Sequence, residues 1–277
     1  SHDLITEKAM HWLDMNHKKS FFLYLPFTIP HANNEGTRGT GDGQDVPDYG
    51  IYSKKNWTNP NKGQAAMITR MDADIGRLMA RLEKYNITSN TLVIFSSDNG
   101  HHREGGNDPE FFDSNGPLRG MKRDLYEGGI RVPTVAYWPG RIQSGTESDH
   151  PAYFGDLMAT SAELLDLNVP SQLDSVSFLP TLLGQPEKQF KREFLYWEFL
   201  ERRGAQAVVI GETGRWKAIR KQSATAPIEL YDLDNDLGET TNIAVDHPKI
   251  IARAEELFKE QHVPNPLWKA PFQPRRK

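Results

Sequence analysis

The sequence of 277 residues contains no cysteine. This absence excludes disulfide bonds, thiolate metal ligands and a genetically encoded cysteine nucleophile. Long hydrophobic runs are also missing, since the longest covers only Phe21–Phe27 and is interrupted by Pro26. A membrane-spanning helix needs roughly 20 apolar residues, so the sequence predicts no transmembrane segment.

The chain has no large excess of charge of either sign. Its 33 Lys and Arg residues are balanced by 37 Asp and Glu residues, for a formal net charge of −4. Because contacts to phosphate groups require clustered Lys and Arg, this balance argues against nucleic acid as the main partner. The length is sufficient for one large domain, or for a domain with a smaller annex that has its own core.

Helical and strand-like patterns alternate over the first two thirds of the chain. Apolar spacing predicts helices over 1–16, 61–85 and 155–167, and strands over 21–25, 91–96 and 133–138. We expect Asn61 and Gln64 to form a capping box where the second helix begins. The alternation predicts an α/β domain over 1–185, with a mixed sheet flanked by helices.

The pattern changes in the remaining residues, 186–277. Four short strand candidates lie close together there, at 194–199, 205–210, 216–220 and 229–232. The segment after Pro248 returns to a helical period. These features predict a smaller C-terminal α+β subdomain built on an antiparallel sheet.

Asp98-Asn99-Gly100 directly follows a predicted buried strand. Ligands bind at the carboxyl ends of strands in open α/β sheets, and a carboxylate beside an amide suits a hard divalent cation such as calcium. The same tripeptide is also a favoured turn sequence. The residues alone leave both interpretations open.

Three further features lie in loops near strand ends. Lys122, in a segment bounded by Gly116 and Gly120, can place an ammonium against an anionic ester, although most lysines are simply solvated. His31 follows the first predicted strand and has the proton affinity of an acid or base, although a single loop histidine is usually structural. Glu127-Gly-Gly fits a plain turn as well as a site.

The order of these blocks resembles that of a known enzyme family. The blocks are Phe21-Phe-Leu-Tyr-Leu with Pro30-His31, then Met71-Asp72 with Ile75-Gly76, then Thr91-Leu-Val-Ile-Phe-Ser-Ser-Asp98-Asn99-Gly100, and finally Leu118-Arg-Gly-Met-Lys122 with Tyr126-Glu-Gly-Gly-Ile-Arg-Val-Pro133. In this arrangement the chain resembles the type I sulfatases, most closely the bacterial arylsulfatase and N-acetylgalactosamine-6-sulfatase-like branch. The resemblance extends over nearly the whole chain and implies an alkaline-phosphatase-like fold.

The resemblance also implies a mechanism and residue roles. In such enzymes a hydrated formylglycine attacks the sulfur of a sulfate ester while Ca²⁺ holds the sulfate oxygens. Asp98 and Asn99 fall on two calcium ligands, Lys122 on the lysine that contacts the sulfate, and His31 on the histidine near the leaving oxygen. His101 and His102 lie in the loop before Lys122, where one of them is expected to contact the substrate. Sulfated carbohydrates and aryl sulfates are the implied substrates.

The chain departs from the family at the covalent centre. It contains no Cys/Ser-x-Pro-x-Arg motif; Ser114-Asn-Gly-Pro-Leu-Arg119 is offset by one residue. We therefore expect the chain to be an incomplete, C-terminal portion of a longer sulfatase, inactive alone, whose partners include the missing N-terminal segment or a second copy. The resemblance implies a periplasmic or secreted location.

Two alternatives remain open beside a sulfatase of sulfated sugars. One is a phosphoester hydrolase of the broader alkaline-phosphatase-like superfamily, although Lys122 occupies a position typical of sulfatases. The other is a non-catalytic binding or structural module with a sulfatase-like shell, which the missing nucleophile favours. Loop composition at 28–60 and 101–116, the expected pocket walls, identifies neither the sugar nor the position of its sulfate.

Overall fold

A computed structural model describes residues 1–170 and 172–267 of the protein. The α-helices are α1 (His2–Asn16), α2 (Asn34–Thr40), α3 (Asn59–Lys84), α4 (Glu127–Ile130), α5 (Asp156–Leu164), α6 (Leu179–Leu182) and α7 (Pro248–Glu260). The strands are β1 (Val93–Ser96), β2 (Thr134–Tyr137), β3 (Phe194–Phe199), β4 (Ala205–Ile210), β5 (Trp216–Lys221) and β6 (Ile228–Asp232). Short 3₁₀ helices cover Gly50–Tyr52, Thr88–Asn90, Glu104–Gly106, Pro186–Lys188, Glu201–Arg203 and Ala244–Asp246.

The chain divides into two compact units. The first unit comprises Ser1–Ile94, His102–Ser114 and Ala136–Arg141, and the second comprises Phe95–His101, Asn115–Val135 and the residues from Ile142 onward. Strands β1 and β2 form a two-stranded sheet, and β3 to β6 form a four-stranded one. Among the described residues, no helix combines the length and the apolar character needed to cross a bilayer.

Helices α1 and α3 pack together in the first unit around a buried polar contact. His2 Nε2 lies 2.9 Å from Asp74 Oδ2, and the hydroxyl of Thr6 donates to the same oxygen at 3.3 Å. Helix α3 begins earlier than the predicted Asn61 because Thr58 is its N-cap: the Thr58 hydroxyl accepts the Asn61 N–H at 3.3 Å. The predicted capping box with Gln64 is therefore wrong.

The predicted strand at Phe21–Leu25 is also wrong. No strand is assigned there in the described chain, and Phe22 and Tyr24 are 80% and 62% exposed. A strand is stabilised by a hydrogen-bonded neighbour, and no described strand pairs with this segment. The run has the apolar composition of a buried strand, but composition alone does not provide a neighbouring strand to pair with.

The antiparallel sheet of the second unit confirms the four strands predicted after residue 190. Neighbouring strands pair in chain order, with Val208 opposite Ala218 and Ala218 opposite Leu230. These three residues pack against α7, through Leu257 and Phe258 among others. Because side chains alternate between the faces of a strand, the intervening residues form a second apolar face.

This second face of the sheet covers the segment that carries the predicted lysine. Ala207, Ile219 and Tyr231 form one apolar cluster with Leu125 and Tyr126. A sheet with an apolar set on each face is stabilised by burial on both sides. The sheet therefore has a structural connection to the loop that contains Lys122, and the predicted mixture of α/β and antiparallel parts is confirmed.

Candidate active site

Asp98 and Asn99 lie directly after β1. The Nδ2 of Asn99 donates to Asp98 Oδ1 at 3.1 Å, and the Ser97 hydroxyl donates to the carbonyl of Asn99 at 3.0 Å. The first bond uses the amide nitrogen of Asn99, which cannot ligate a cation, and does not use its Oδ1. The pair therefore presents carboxylate and amide oxygens, the atoms that calcium takes as ligands.

Lys122 lies in a tight turn of the same unit. Its backbone N–H donates to the carbonyl of His101 at 2.8 Å. The turn is closed by Asp124, whose N–H donates to the carbonyl of Met121 at 2.8 Å and whose Oδ2 accepts the Met121 N–H at 3.1 Å. Arg123 takes the left-handed conformation, at φ 78°. These bonds fix the backbone of Lys122 beside His101, three residues after Asp98.

The Gly-Gly pair of α4 lies against the same loop. Gly100 N–H donates to the carbonyl of Gly129 at 2.9 Å, and Gly128 N–H donates to the carbonyl of Arg119 at 2.7 Å. A Cβ on Gly100 would lie 1.9 Å from the Gly128 oxygen. Only glycine fits at position 100, because two backbone segments approach each other there.

His31 lies in the first unit, after the unpaired apolar segment. Its Nδ1 lies 2.8 Å from the carbonyl of Ala32, and because a carbonyl only accepts, Nδ1 carries the proton. Nε2 lies 3.6 Å from Glu104 Oε2, a distance that allows an ion pair when the imidazole is protonated. The side chain of His31 is 48% exposed. His31 is therefore oriented by its backbone neighbour and remains accessible to a ligand.

His102 is buried next to His31. Their ring centres are 5.7 Å apart. His102 Nε2 lies 3.2 Å from the carbonyl of Pro30, and its Nδ1 accepts the N–H of Glu104 at 3.1 Å. These partners assign the proton of the neutral ring to Nε2. His102 thus supports the backbone around His31, and its contact with a substrate stays a prediction, as does that of His101.

The two loops predicted as pocket walls contact each other within the first unit. The Gln44 side chain donates to the carbonyl of Glu104 at 2.7 Å, and Asp108 N–H donates to Asn61 Oδ1 at 3.0 Å. Buried Asn107 donates to the carbonyl of His102 at 3.0 Å. Loop 28–60 and the loop after 101 are therefore ordered by long-range hydrogen bonds.

The structure brings together part of the predicted site. Asp98, Asn99, His101 and Lys122 belong to the second unit and share one backbone arrangement, whereas His31 and His102 belong to the first unit. The convergence of His31 with Asp98 and Lys122 around one sulfate stays a prediction.

Four ionisable residues that form close contacts in the structure were not identified from the sequence. Glu104 lies beside His31, and a buried group consists of Glu127, Lys217 and Glu239. Glu127 belongs to one of the family blocks and to a segment that fits either a turn or a site, but the sequence predicts no role for its side chain. Lys217 carries no sequence signal, because a lysine in an alternating strand normally indicates a solvent-facing position.

The predicted calcium ligands have the right chemistry but are few in number. Asp98 and Asn99 supply two oxygen ligands, whereas calcium takes roughly 6–8. Within residues 1–170 and 172–267, no group of three or more His, Asp or Glu side chains is arranged to hold a metal ion. The chemistry of these two residues fits part of a calcium site.

Two family descriptions match the chain. A sequence model described as sulfatase matches residues 1–167, and a model described as the C-terminal part of N-sulphoglucosamine sulphohydrolase matches residues 120–262. The first covers more than half of the chain and includes every predicted site residue. The second covers the antiparallel sheet and α7.

Individual relatives and a solved structure agree with these matches. The chain is 27% identical to an N-acetylgalactosamine-6-O-sulfatase of Bacteroides thetaiotaomicron, over 93% of this chain and 50% of the relative. It is 38% identical to a steryl-sulfatase of Rattus norvegicus, over 69% of this chain and 31% of the relative. The crystal structure of Ps i-CgsB superposes with a TM-score of 0.78 at 25% identity, over 94% of this chain and 54% of that one. The chain thus spans about half the length of the first relative and of this structure.

Proposed function

Since the chain belongs to the sulfatase family, we propose that it takes part in the hydrolysis of sulfate esters of sugars. The observation that carries this proposal is the sulfatase match over residues 1–167, which contains Asp98, Lys122 and His31. The sugar class is supported by the N-acetylgalactosamine-6-O-sulfatase relative. Aryl sulfates are small substrates of the same chemistry.

Each residue has a role that follows from its chemistry. Lys122 contributes an ammonium that neutralises charge on the sulfate oxygens as the bond between sulfur and the leaving oxygen breaks. His31 acts as the imidazolium: its Nδ1 proton stays directed to Ala32, and its Nε2 proton passes to the departing alkoxide, which leaves the neutral ring. Asp98 and Asn99 would hold calcium, which supplies positive charge to the bound sulfate.

The covalent nucleophile and the remaining calcium ligands lie, in this proposal, outside these 277 residues. The sequence contains no Cys/Ser-x-Pro-x-Arg motif from which formylglycine forms. We place them in an N-terminal segment of the same enzyme. Exposed apolar residues support such a partner: Phe22 and Tyr24 are 80% and 62% exposed, and Val135 on β2 is 59% exposed. Exposed apolar side chains close together on one segment, as at Phe22 and Tyr24, favour association with another surface.

A release assay tests the proposed activity. Sulfate and phosphate release are measured from sulfated glycosaminoglycan disaccharides, an aryl sulfate and the matching aryl phosphate. The enzyme that includes the upstream segment should release sulfate from at least one disaccharide and from the aryl sulfate, and the 277-residue chain should release none. Preferential phosphate release would replace the proposal by phosphoester hydrolysis. Sulfate release by the chain alone would overturn the placement of the nucleophile.

The absence of the nucleophile motif favours one second candidate, a non-catalytic module that binds sulfated sugars. Sequencing of the gene upstream of Ser1 separates the two, because an enzyme requires the Cys/Ser-x-Pro-x-Arg motif there. Calorimetric binding of a sulfated disaccharide to the full protein, without sulfate release, would support the module. A periplasmic or secreted location belongs to both candidates, and cell fractionation tests it.

Self-association of the isolated chain tests the exposed apolar surface. Sedimentation velocity of the 277-residue chain should show oligomers at micromolar concentration, and the double change Phe22→Ser with Tyr24→Ser should reduce them. The matched control is Val245→Ser, because Val245 is 92% exposed and lies in the 3₁₀ helix Ala244–Asp246, away in sequence from Phe22 and Tyr24. If the unchanged chain and the Phe22→Ser, Tyr24→Ser variant are both monomeric, association through this segment is contradicted.

A further inference from the structure

A buried group of three ionisable side chains lies beside α4. Lys217 on β5 and Glu239 have no exposed surface, and Glu127 is 5% exposed. Lys217 Nζ lies 2.7 Å from Glu127 Oε1 and 3.8 Å from Glu239 Oε1. Glu239 Oε2 accepts the backbone N–H of Glu127 at 2.7 Å. The first residue of α4 is therefore held by both the antiparallel sheet and the turn at 239.

Such a group is costly to bury, and the proposed chemistry does not use it. Buried charges persist when they are paired and hydrogen-bonded, and removal of one partner leaves the other uncompensated. A buried ionic group also fixes its elements in one arrangement, because displacement of either element separates the charges. The question is therefore which part of the molecule Glu127 fixes.

Glu127 begins the short helix that contacts both candidate catalytic segments. The next two residues, Gly128 and Gly129, bind Arg119 and Gly100 through backbone hydrogen bonds of 2.7 and 2.9 Å. Gly100 directly follows Asn99. A shift of α4 would thus move or release the backbone of the predicted calcium ligands.

Glu239 also contacts the other end of this segment. Its backbone carbonyl accepts from Arg119 Nη1 at 2.9 Å, and the same nitrogen donates to the Tyr231 hydroxyl at 3.0 Å. The Arg119 guanidinium lies 4.0 Å from the ring centre of Tyr126. The side chain of Glu239 binds Glu127 while its backbone binds Arg119, so one residue holds both sides of the turn that contains Lys122.

We propose that Lys217 and Glu239 are positioning residues, which act through Glu127 and Arg119 to hold the segments of Asp98–His101 and Lys122 in place. The antiparallel sheet is then a support for the site. The catalytic importance of the two segments rests on the proposed function. Their dependence on Lys217 and Glu239 does not, and it can be measured without any substrate.

Amide hydrogen exchange of the 277-residue chain, followed by mass spectrometry, tests this dependence. Lys217→Met should accelerate exchange at Gly100, Lys122 and Gly129 roughly 10- to 100-fold relative to amides within β4, because a buried partner is lost. The matched control is Arg220→Met on the same strand. Arg220 is also buried, at 4% exposure, but binds Gln206 and contacts Phe258.

The control should loosen the α7 side of the sheet without selective acceleration in the two segments.

A second pair of variants addresses a folding failure of Lys217→Met. Glu239→Gln retains an acceptor for the Glu127 N–H and should exchange nearly as the wild type, whereas Glu239→Ala should accelerate the same amides about tenfold. Equal exchange in Glu239→Gln and Glu239→Ala, or equal patterns in Lys217→Met and Arg220→Met, would overturn the proposal.

Activity separates this proposal from the proposed function. In the enzyme with its upstream segment, Glu239→Ala should lower kcat for sulfate release about tenfold or more, while Glu239→Gln restores it. If the wild-type enzyme releases no sulfate but the exchange pattern holds, the positioning role stands and the sulfatase function fails. If sulfate is released but exchange in the two segments is unaffected, the positioning role fails alone.

Discussion

The backbone N–H of Lys122 donates to the carbonyl of His101 at 2.8 Å. His101 is separated from Asp98 only by Asn99 and Gly100, so this bond joins two motifs that are distant in the loop. A lysine for the sulfate and oxygen ligands for a cation need to lie near each other if one anion is to contact both. This hydrogen bond holds the backbones of the two segments next to each other within the second unit.

Replacement of Lys122 by alanine should reduce turnover far more than stability. The half-buried side chain is removed without a change in the turn, because the backbone N–H still bonds His101. We expect kcat for sulfate release by the enzyme with its upstream segment to fall roughly 100-fold or more, with little change in Tm. The same result is expected for His31→Ala.

Lys191→Ala is the control for both variants, because Lys191 forms an exposed ion pair with Glu212. It should retain wild-type turnover. A loss of Tm in Lys122→Ala or His31→Ala that matches the loss of activity would show that these residues stabilise the fold.

Replacement of Gly100 by alanine should destabilise the loop after β1. The new Cβ would lie 1.9 Å from the carbonyl oxygen of Gly128, and backbone atoms cannot move aside cheaply. We expect a loss of roughly 1–3 kcal/mol or more in the free energy of unfolding, measured by urea denaturation. Gly76→Ala is the control, since an alanine there meets no atom within 4 Å and lies inside α3. It should stabilise by roughly 0.5–1 kcal/mol.

Local patterns predicted the second unit well. Apart from Gln206, strand β4 consists of small and β-branched residues between turns, and α7 has a clear apolar period, so both follow from the sequence alone. The position of Asp98 and Asn99 after β1 was also predictable, because an apolar run followed by a turn sequence is a local signal; the predicted burial of this strand is wrong, since no residue of β1 is buried.

Long-range pairing was not predictable in the same way. Phe21–Leu25 has the composition of a strand but no described strand beside it, and composition cannot report a missing neighbour. Lys217 is completely buried because Glu127, 90 positions away, accepts from it at 2.7 Å. Such a pair leaves no periodic signal in either segment.

Asp156 should be a strong determinant of stability in the second unit. It is fully buried and forms two hydrogen bonds with Arg192, of 2.6 and 2.9 Å. Asp156→Ala leaves the Arg192 guanidinium without its carboxylate, with the Asp174 carbonyl still accepting from Nη2 at 3.1 Å, and we expect a loss of about 3–5 kcal/mol in urea denaturation. Glu212→Ala, which breaks the exposed pair with Lys191, should cost less than about 1 kcal/mol. Similar losses of unfolding free energy in Asp156→Ala and Glu212→Ala would show that burial does not strengthen the Asp156–Arg192 pair.

The stability of the chain should depend on pH through Glu239. Burial raises the pKa of this carboxyl from 4.5 to about 7, against the lowering effect of the Lys217 charge, the hydrogen bond from the Glu127 N–H and the Arg119 charge; the charge of Glu127 raises it. Between pH 4.5 and about 7, Glu239 is protonated in the folded state and ionised in the unfolded state. The free energy of unfolding therefore falls as pH rises, and the contribution, about 3 kcal/mol at most, is present below pH 4.5 and lost above pH 7.

Glu239→Gln should remove this dependence, because its amide stays neutral at every pH. Urea denaturation at pH 5, 6, 7 and 8 should show that the wild type loses stability relative to the variant as pH rises. The control is Glu229→Gln. Burial raises the pKa of Glu229, but hydrogen bonds from Lys221, Tyr126 and Tyr231 outweigh it and lower the pKa overall. Its contribution is lost only as pH falls below 4.5, so Glu229→Gln should run parallel to the wild type from pH 5 to 8. Parallel curves for Glu239→Gln and the wild type would show instead that Glu239 is ionised in the folded state throughout this range.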